Sequence, residues 1–370
     1  MAGVIDSDTH VVESEQMWEF FDEAMKPRRP TLVAFADPAT GITGNRWVID
    51  GKLFPRPFGR GGAFLATPPM NEQQAVDMEW SSRSLNDPAA RVAAMESLGI
   101  QSQVIFPTLF IAYLTDEVDL EVALCRAYNR YMADACSHAP DRLRWIAVPP
   151  LRSIAESIGE LNFARENGAA GILMRGLEGD RSLAEPYFHP IYAEASRLGL
   201  PVCIHIGGGS PTLNEMADTR YMFNFASQRL LPVIAFHDLL SARIPEQFPD
   251  LRIGFIEATA SWVPFVLHFL QRRLNMGVVS QEKLGPALFR DYRMFVACEA
   301  DEDIPYLLTH IGEDNLLIGT DYGHHGARRG PADQSVELDL VSVIGAREDV
   351  PPSVVNKMLR ENPRHFYALT

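Results

Sequence analysis

Eight short runs of apolar, often β-branched residues recur along the chain, at residues 3–8, 103–106, 143–148, 171–175, 201–206, 252–257, 294–298 and 316–320. Runs this short, with little apolar/polar alternation, predict strands buried on both faces, as in a parallel sheet. Between them the apolar positions take helical spacing. A helix over 89–98 has Asp87 as N-cap, Pro88 at its first position and Gly99 as its stop. Further helices are predicted over 121–138, over 153–167 ending at Gly168, and over 186–198 ending at Gly199. Strands alternating with helices eight times over predict an α/β fold, a closed (β/α)8 TIM barrel, as a single domain over residues 1–370.

Two stretches exceed the bare barrel. Residues 27–84, after the first strand, contain WVIDGKLFPRP and GRGG and predict a small β-hairpin followed by turns. Residues 207–224, after the fifth strand, form a Gly-rich excursion. Segments that follow barrel strands lie on the face that carries the chemistry, so both are expected to cap the site.

Charge narrows the partners. With 33 basic and 48 acidic residues the formal charge is −15, which argues against nucleic acid or an anionic membrane as the main partner but not against an anionic substrate, because a site can be locally positive; the expected partner is a small-molecule substrate. No apolar run is long enough to span a bilayer, and no leader pattern precedes the first strand. Cys125, Cys136, Cys203 and Cys298 are far apart, and two of them fall in strand-like runs. Buried free thiols in a cytoplasmic protein are the expectation.

Polar residues collect where the strands end: Asp8 and His10, Arg175, His205, Glu257, Glu299 with Asp301, and Asp321. Asp8 and His10 are two apart on a strand and share a face, the barrel interior. A carboxylate there must be paired, protonated or bound to a metal. Two imidazoles and two carboxylates from strands one, five and eight can converge on one divalent cation. That donor set suits zinc, with manganese or iron as alternatives, better than calcium or magnesium. Each residue also has a plainer reading. Arg175 either binds a substrate carboxylate or pairs with a neighbouring acid. His205 alone reads as a satisfied core histidine, and Glu13 as an ion-pair partner near the site. Glu299 and Asp301 can be a helix N-terminal charge cluster. Trp47, Phe54 and Phe58 either line a pocket or form the insertion's own core. His237, in LLPVIAFHDLLSARI, is either a packing residue or an acid/base group, and His325 is either exposed or part of the site. His138, His189, His268, His310 and His365 read as structural or surface residues. Asp6 has no assigned role.

The residues resemble the amidohydrolase-2 family, related to the aminocarboxymuconate semialdehyde decarboxylases, within the metal-dependent amidohydrolase superfamily. The resemblance is carried by DxHxxE (Asp8, His10, Glu13), GLPVCIHIGGG, FPDLRIGFIEATASW, GTDYGHH and the closing NKMLRENPRHFYAL, over nearly the whole chain. It implies metal ligation by Asp8, His10, His205 and Asp321, with His324 helping to shape the site, and a homodimer or a tetramer of dimers. Two departures stand out. Asp8 takes the place of the first His or Glu of better-known members. Glu257 stands where decarboxylase members carry a histidine, often in HGG. The leading expectation is therefore a metal-dependent hydrolase. A metal-held water attacks, Asp321 takes its proton, Glu257 shuttles a proton to the leaving group, and Arg175 orients the substrate. The alternative is non-oxidative decarboxylation of a small unsaturated or aromatic carboxylate, and a third reading is a ligand-binding barrel without catalysis.

Overall fold

The computed structural model describes residues 3–37, 41–56, 58–63, 65–221, 225–272, 284–324 and 337–369. Eight parallel strands form one sheet in sequential order: β1 (Ile5–Val11), β2 (Ser102–Pro107), β3 (Leu143–Ala147), β4 (Gly171–Arg175), β5 (Val202–His205), β6 (Ile253–Ile256), β7 (Met294–Ala297) and β8 (Leu316–Leu317). Helices sit between them, which is the (β/α)8 barrel that the apolar periodicity predicts. All seven residues of β1 are buried, so the strand runs past Asp8 to carry His10 into the interior.

The barrel closes between β1 and the segment after β8. Ser7 N donates to Ile318 O (3.3 Å), Asp321 N to Asp8 O (3.0 Å) and His10 N to Tyr322 O (2.6 Å). Regular pairing in β8 covers two residues only, and side chains take over from there. Asp6 accepts from Thr320 N (2.9 Å), Thr320 Oγ1 (2.6 Å) and Gln103 Nε2 (3.2 Å). Asp6 is thus the clasp between the first and last strands, a role with no local signal in the sequence. Burial pushes its carboxyl up to about 6 against those hydrogen bonds. Behind it, fully buried Arg91 donates to Gln103 Oε1 (2.6 Å) and His10 O (3.0 Å) and lies over the Tyr322 ring. Thr320→Val removes a buried donor from Asp6 and is expected to cost about 1–3 kcal/mol, read as a lower urea midpoint at unchanged slope.

The helix ends follow the sequence cues. The Asp87 side chain accepts from Ala89 N and Ala90 N at the start of Pro88–Ser97, and Gly99 turns with φ 69°. The insertion is larger than a hairpin. It is a three-stranded antiparallel sheet (Thr31–Asp37, Ile42–Ile49, Lys52–Phe54) followed by two short helices, Glu72–Asp77 and Trp80–Arg83. The strand Thr31–Asp37 has no buried residue, although it carries the apolar run LVAFA. Trp47 does not belong to a separate small core. It is buried against Trp18 in the main core, the rings edge to face at 5.7 Å, and Phe54 packs partly buried on the same core.

The insertion and the excursion after β5 meet. Gly61 N donates to Asn214 O (3.1 Å) and Ala217 O (3.0 Å), Thr219 N donates to Gly59 O (3.1 Å), and the backbones of Arg60 and Asp218 form an isolated antiparallel bridge. Gly61 has φ +68°, and a Cβ there would meet the Glu215 carboxylate, so the GRGG turn needs glycine to dock. All four cysteines are free and buried. No helix among the described residues is long and apolar enough to cross a membrane.

Candidate metal centre

Four buried side chains from β1, β5 and the end of β6 point their polar atoms at one another. Asp8 Oδ1, His10 Nε2, His205 Nε2 and Glu257 Oε2 all lie within 4.8 Å of one another. His10 Nε2 is 3.6 Å from both Asp8 Oδ1 and Glu257 Oε2, and His205 Nε2 is 3.6 Å and 3.3 Å from the same two atoms. These separations are long for hydrogen bonds, and the four atoms are buried without a hydrogen-bond partner. Orphaned donors and acceptors at the same point cost free energy unless something polar fills the gap.

Each imidazole is oriented from behind. His10 Nδ1 is held by Pro107 O at 2.8 Å, and His205 Nδ1 by Ile206 O at 2.9 Å. An Nδ1–H given to a carbonyl leaves the Nε2 lone pair facing the cluster, the tautomer a metal ligand requires. The donor set, two nitrogens and at least two carboxylate oxygens, suits zinc, manganese or iron. The residues therefore fit a divalent cation.

Electrostatics agree. Burial lowers His10, aided by the nearby His324. Burial also works against a charged His205, but Asp8 and Glu257 outweigh it and hold that imidazole up to about 9. Burial would raise Glu257, and the imidazoles of His10 and His205 together with Arg229 hold it well below the carboxylate range.

Asp321 and His324 border this cluster. Asp321 Oδ1 is 3.5 Å from His10 Nε2 and 2.8 Å from His324 Nδ1, and the His324 ring stacks on His10 at 3.8 Å. His324 Nε2 meets Thr108 Oγ1 at 3.1 Å, and that hydroxyl donates to Val11 O. Burial, then the Glu257 charge, raise Asp321 well above the usual carboxylate range. Both Glu257 (φ 52°) and Asp321 (φ 53°) sit in the left-handed region, just beyond the ends of β6 and β8. Non-glycine residues hold that conformation at a cost, and here it aims their carboxyls at the same point. Gly319 and Gly323 allow the approach. A Cβ on Gly319 would lie 2.5–2.9 Å from Asp8 atoms, and one on Gly323 2.5 Å from His10 O.

The structure thus brings together Asp8, His10, His205, Glu257, Asp321 and His324. His10 and Glu257 are shared by two sets of donor atoms, one with Asp8 and His205 and one with Asp321 and His324, each within 4.8 Å. Arg175 is elsewhere. It forms a bidentate pair with Glu178, its Nη1 donates to Ala112 O (2.6 Å), and it lines a cleft of about 430 Å³ with Tyr113 and Glu121 that none of the six residues enters. The pairing with a neighbouring acid is the alternative the structure displays. Glu13 is cradled by Thr108 N (3.1 Å) and Leu109 N (2.9 Å), and burial pushes it up to about 8. His237 lies on the helix Leu230–Ser241, beside Asp238 and against Phe269, outside the cluster. His325 lies outside the described residues.

The amidohydrolase family model matches residues 5–369. This chain belongs to the amidohydrolase family. Among curated proteins it is 23% identical over 248 residues to 2-amino-3-carboxymuconate-6-semialdehyde decarboxylase of Dictyostelium discoideum, spanning 64% of this chain and 66% of that protein. Among solved structures, an amidohydrolase from Mycobacterium avium subsp. paratuberculosis superposes with a TM-score of 0.77 at 18% identity over 99% of each chain. A 5-carboxyvanillate decarboxylase from Novosphingobium aromaticivorans, complexed with manganese and 4-hydroxy-3-methoxy-5-nitrobenzoic acid, does so with a TM-score of 0.67 at 16% identity over 100% of this chain and 96% of that one. The chain is therefore an amidohydrolase-superfamily enzyme with a barrel shared by hydrolases and carboxy-lyases.

Proposed function

We propose that this amidohydrolase is a metal-dependent decarboxylase that removes carbon dioxide, without oxidation, from a small unsaturated or aromatic carboxylate. The observation that carries the reading is the buried set of partnerless donors on Asp8, His10, His205 and Glu257 beside the Asp321–His324 pair. Decarboxylation rather than the hydrolysis that the motifs first suggest is supported by the decarboxylases among its relatives.

Asp8, His10, His205 and Glu257 would hold one divalent cation, which when bound supplies Lewis-acid polarisation of substrate oxygens. The neighbour with bound manganese supports that ion as a candidate alongside zinc and iron. Cleavage of the bond to the carboxylate leaves its electron pair on carbon, and a proton must replace the departing carbon dioxide. The missing strand-six histidine does not leave the site without a donor. A carboxyl oxygen 2.8 Å from an imidazole nitrogen shares a proton, and Asp321 with His324 is positioned to deliver it. Thr108 steadies His324 from the far side, and the insertion, docked on the excursion after β5, would cover the mouth.

The test is carbon dioxide release by zinc- or manganese-loaded protein given a panel of hydroxybenzoates and unsaturated dicarboxylates. Stoichiometric carbon dioxide with the matching hydrogen-substituted product is expected for at least one compound. Turnover only of esters, amides or lactones, with no gas, would return the hydrolytic reading.

A further inference from the structure

An anionic substrate faces an unfavourable field here. The chain carries a formal charge of −15, and Asp8, Glu257 and Asp321 bring three carboxyls into the site itself. A bound dication would offset only part of that charge, so a fixed positive group beside the cluster would help to draw in and orient a carboxylate. The residue singled out for that task in the sequence, Arg175, is committed to Glu178 and Ala112 O and lines a cleft apart from the cluster.

Three described arginines donate to backbone carbonyls of the cluster segments. Arg91 donates to His10 O (3.0 Å), Arg83 to Gly323 O (3.5 Å) and Arg229 to Glu257 O (2.8 Å). Arg91 and Arg83 are 0% and 2% exposed, sealed behind the barrel wall. The Arg229 side chain is 29% exposed. Its other neighbour is the Glu299 carboxylate at 3.8 Å, beyond hydrogen-bond reach. A guanidinium offers five N–H donors, and the bond to Glu257 O uses one. Arg229 also ends a π-helical turn, Phe225–Arg229, which runs directly into the helix Leu230–Ser241. Such widened turns recur at functional sites because they re-aim one residue without breaking the helix.

We propose that Arg229 is the substrate-carboxylate receptor of this enzyme, its free N–H groups gripping the carboxylate while Nη1 stays anchored on the Glu257 carbonyl. The inference rests on the decarboxylase reading for its substrate class, but its test is binding and not turnover. The single anchor ties the position of the substrate carboxylate to the loop that carries a metal-facing residue. A planar fork also favours a carboxylate over a neutral oxygen, through paired charge-assisted hydrogen bonds.

The experiment is calorimetric titration of manganese-loaded wild type, Arg229→Gln and Arg229→Lys. The ligands are 4-hydroxy-3-methoxy-5-nitrobenzoate, 2,6-dihydroxybenzoate and the corresponding phenols lacking the carboxylate. Glutamine keeps a donor for the Glu257 carbonyl, and metal content checks that the cluster is intact. Arg229→Gln is expected to weaken the benzoates roughly ten- to hundredfold, with the phenols and the metal stoichiometry unchanged and Arg229→Lys in between. Three results would overturn the proposal: benzoate affinity equal to wild type in Arg229→Gln, equal losses for benzoates and phenols, or no benzoate binding by the wild type. Arg229-dependent binding without any carbon dioxide release would instead overturn the decarboxylase reading and leave the receptor standing.

Discussion

Replacing Asp321 with asparagine is expected to cut turnover by about 10²- to 10⁴-fold while leaving the bound metal in place. The expectation follows from where its carboxyl lies. Asp321 Oδ1 is 2.8 Å from His324 Nδ1, and Asp321 belongs not to the set of Asp8, His10, His205 and Glu257 but to a second set, with His10, Glu257 and His324, whose donor atoms also lie within 4.8 Å of one another. Asparagine keeps the size and the left-handed backbone conformation, which it adopts more readily than most residues, so φ 53° adds no new strain. What it removes is a group able to hold and release a proton. Measured kcat against metal content separates the roles. Lost turnover with metal retained marks Asp321 as the proton-handling group, whereas metal lost in parallel with activity makes it a ligand first.

Glu257→Gln is expected to do the reverse, weakening metal retention by at least about tenfold, more than the loss of a supporting hydrogen bond costs at the low end. Its Oε2 faces both imidazoles, at 3.6 Å from His10 Nε2 and 3.3 Å from His205 Nε2. An amide oxygen carries no charge, and two imidazoles with one remaining carboxylate make a poorer site for a dication. Equilibrium dialysis against a chelator buffer reads the change. Unchanged affinity with lost turnover would restore Glu257 to the pure proton-shuttle role that its place in the sequence first suggests.

Much of the barrel was legible because its strands are buried on both faces, which forces unbroken apolar runs such as GILMR and PVCIHI. Polar residues at their ends then stand out, and Asp8, His10 and His205 were visible for that reason. Glu257 was visible as a residue, but its aim depends on a left-handed turn just past β6, which no periodicity encodes. The Asp6–Thr320 clasp joins residues 314 positions apart, and pairing across that distance leaves no local trace. Arg229 is hidden for a related reason. Within its own segment it reads as one more residue of a helical pattern, and only the fold carries it to the Glu257 carbonyl. The strand Thr31–Asp37 shows the converse: its run LVAFA is as apolar as that of a barrel strand, yet it buries no residue.

The central claim is that Asp8, His10, His205 and Glu257 form a divalent metal site. Elemental analysis of wild type and His205→Ala, both purified without chelator or added metal, tests it most directly. The account predicts about one zinc, manganese or iron per chain in the wild type and close to none in the variant, because removing one imidazole breaks the preformed donor set. No metal in the wild type, even after reconstitution, or equal metal in both proteins, would contradict it.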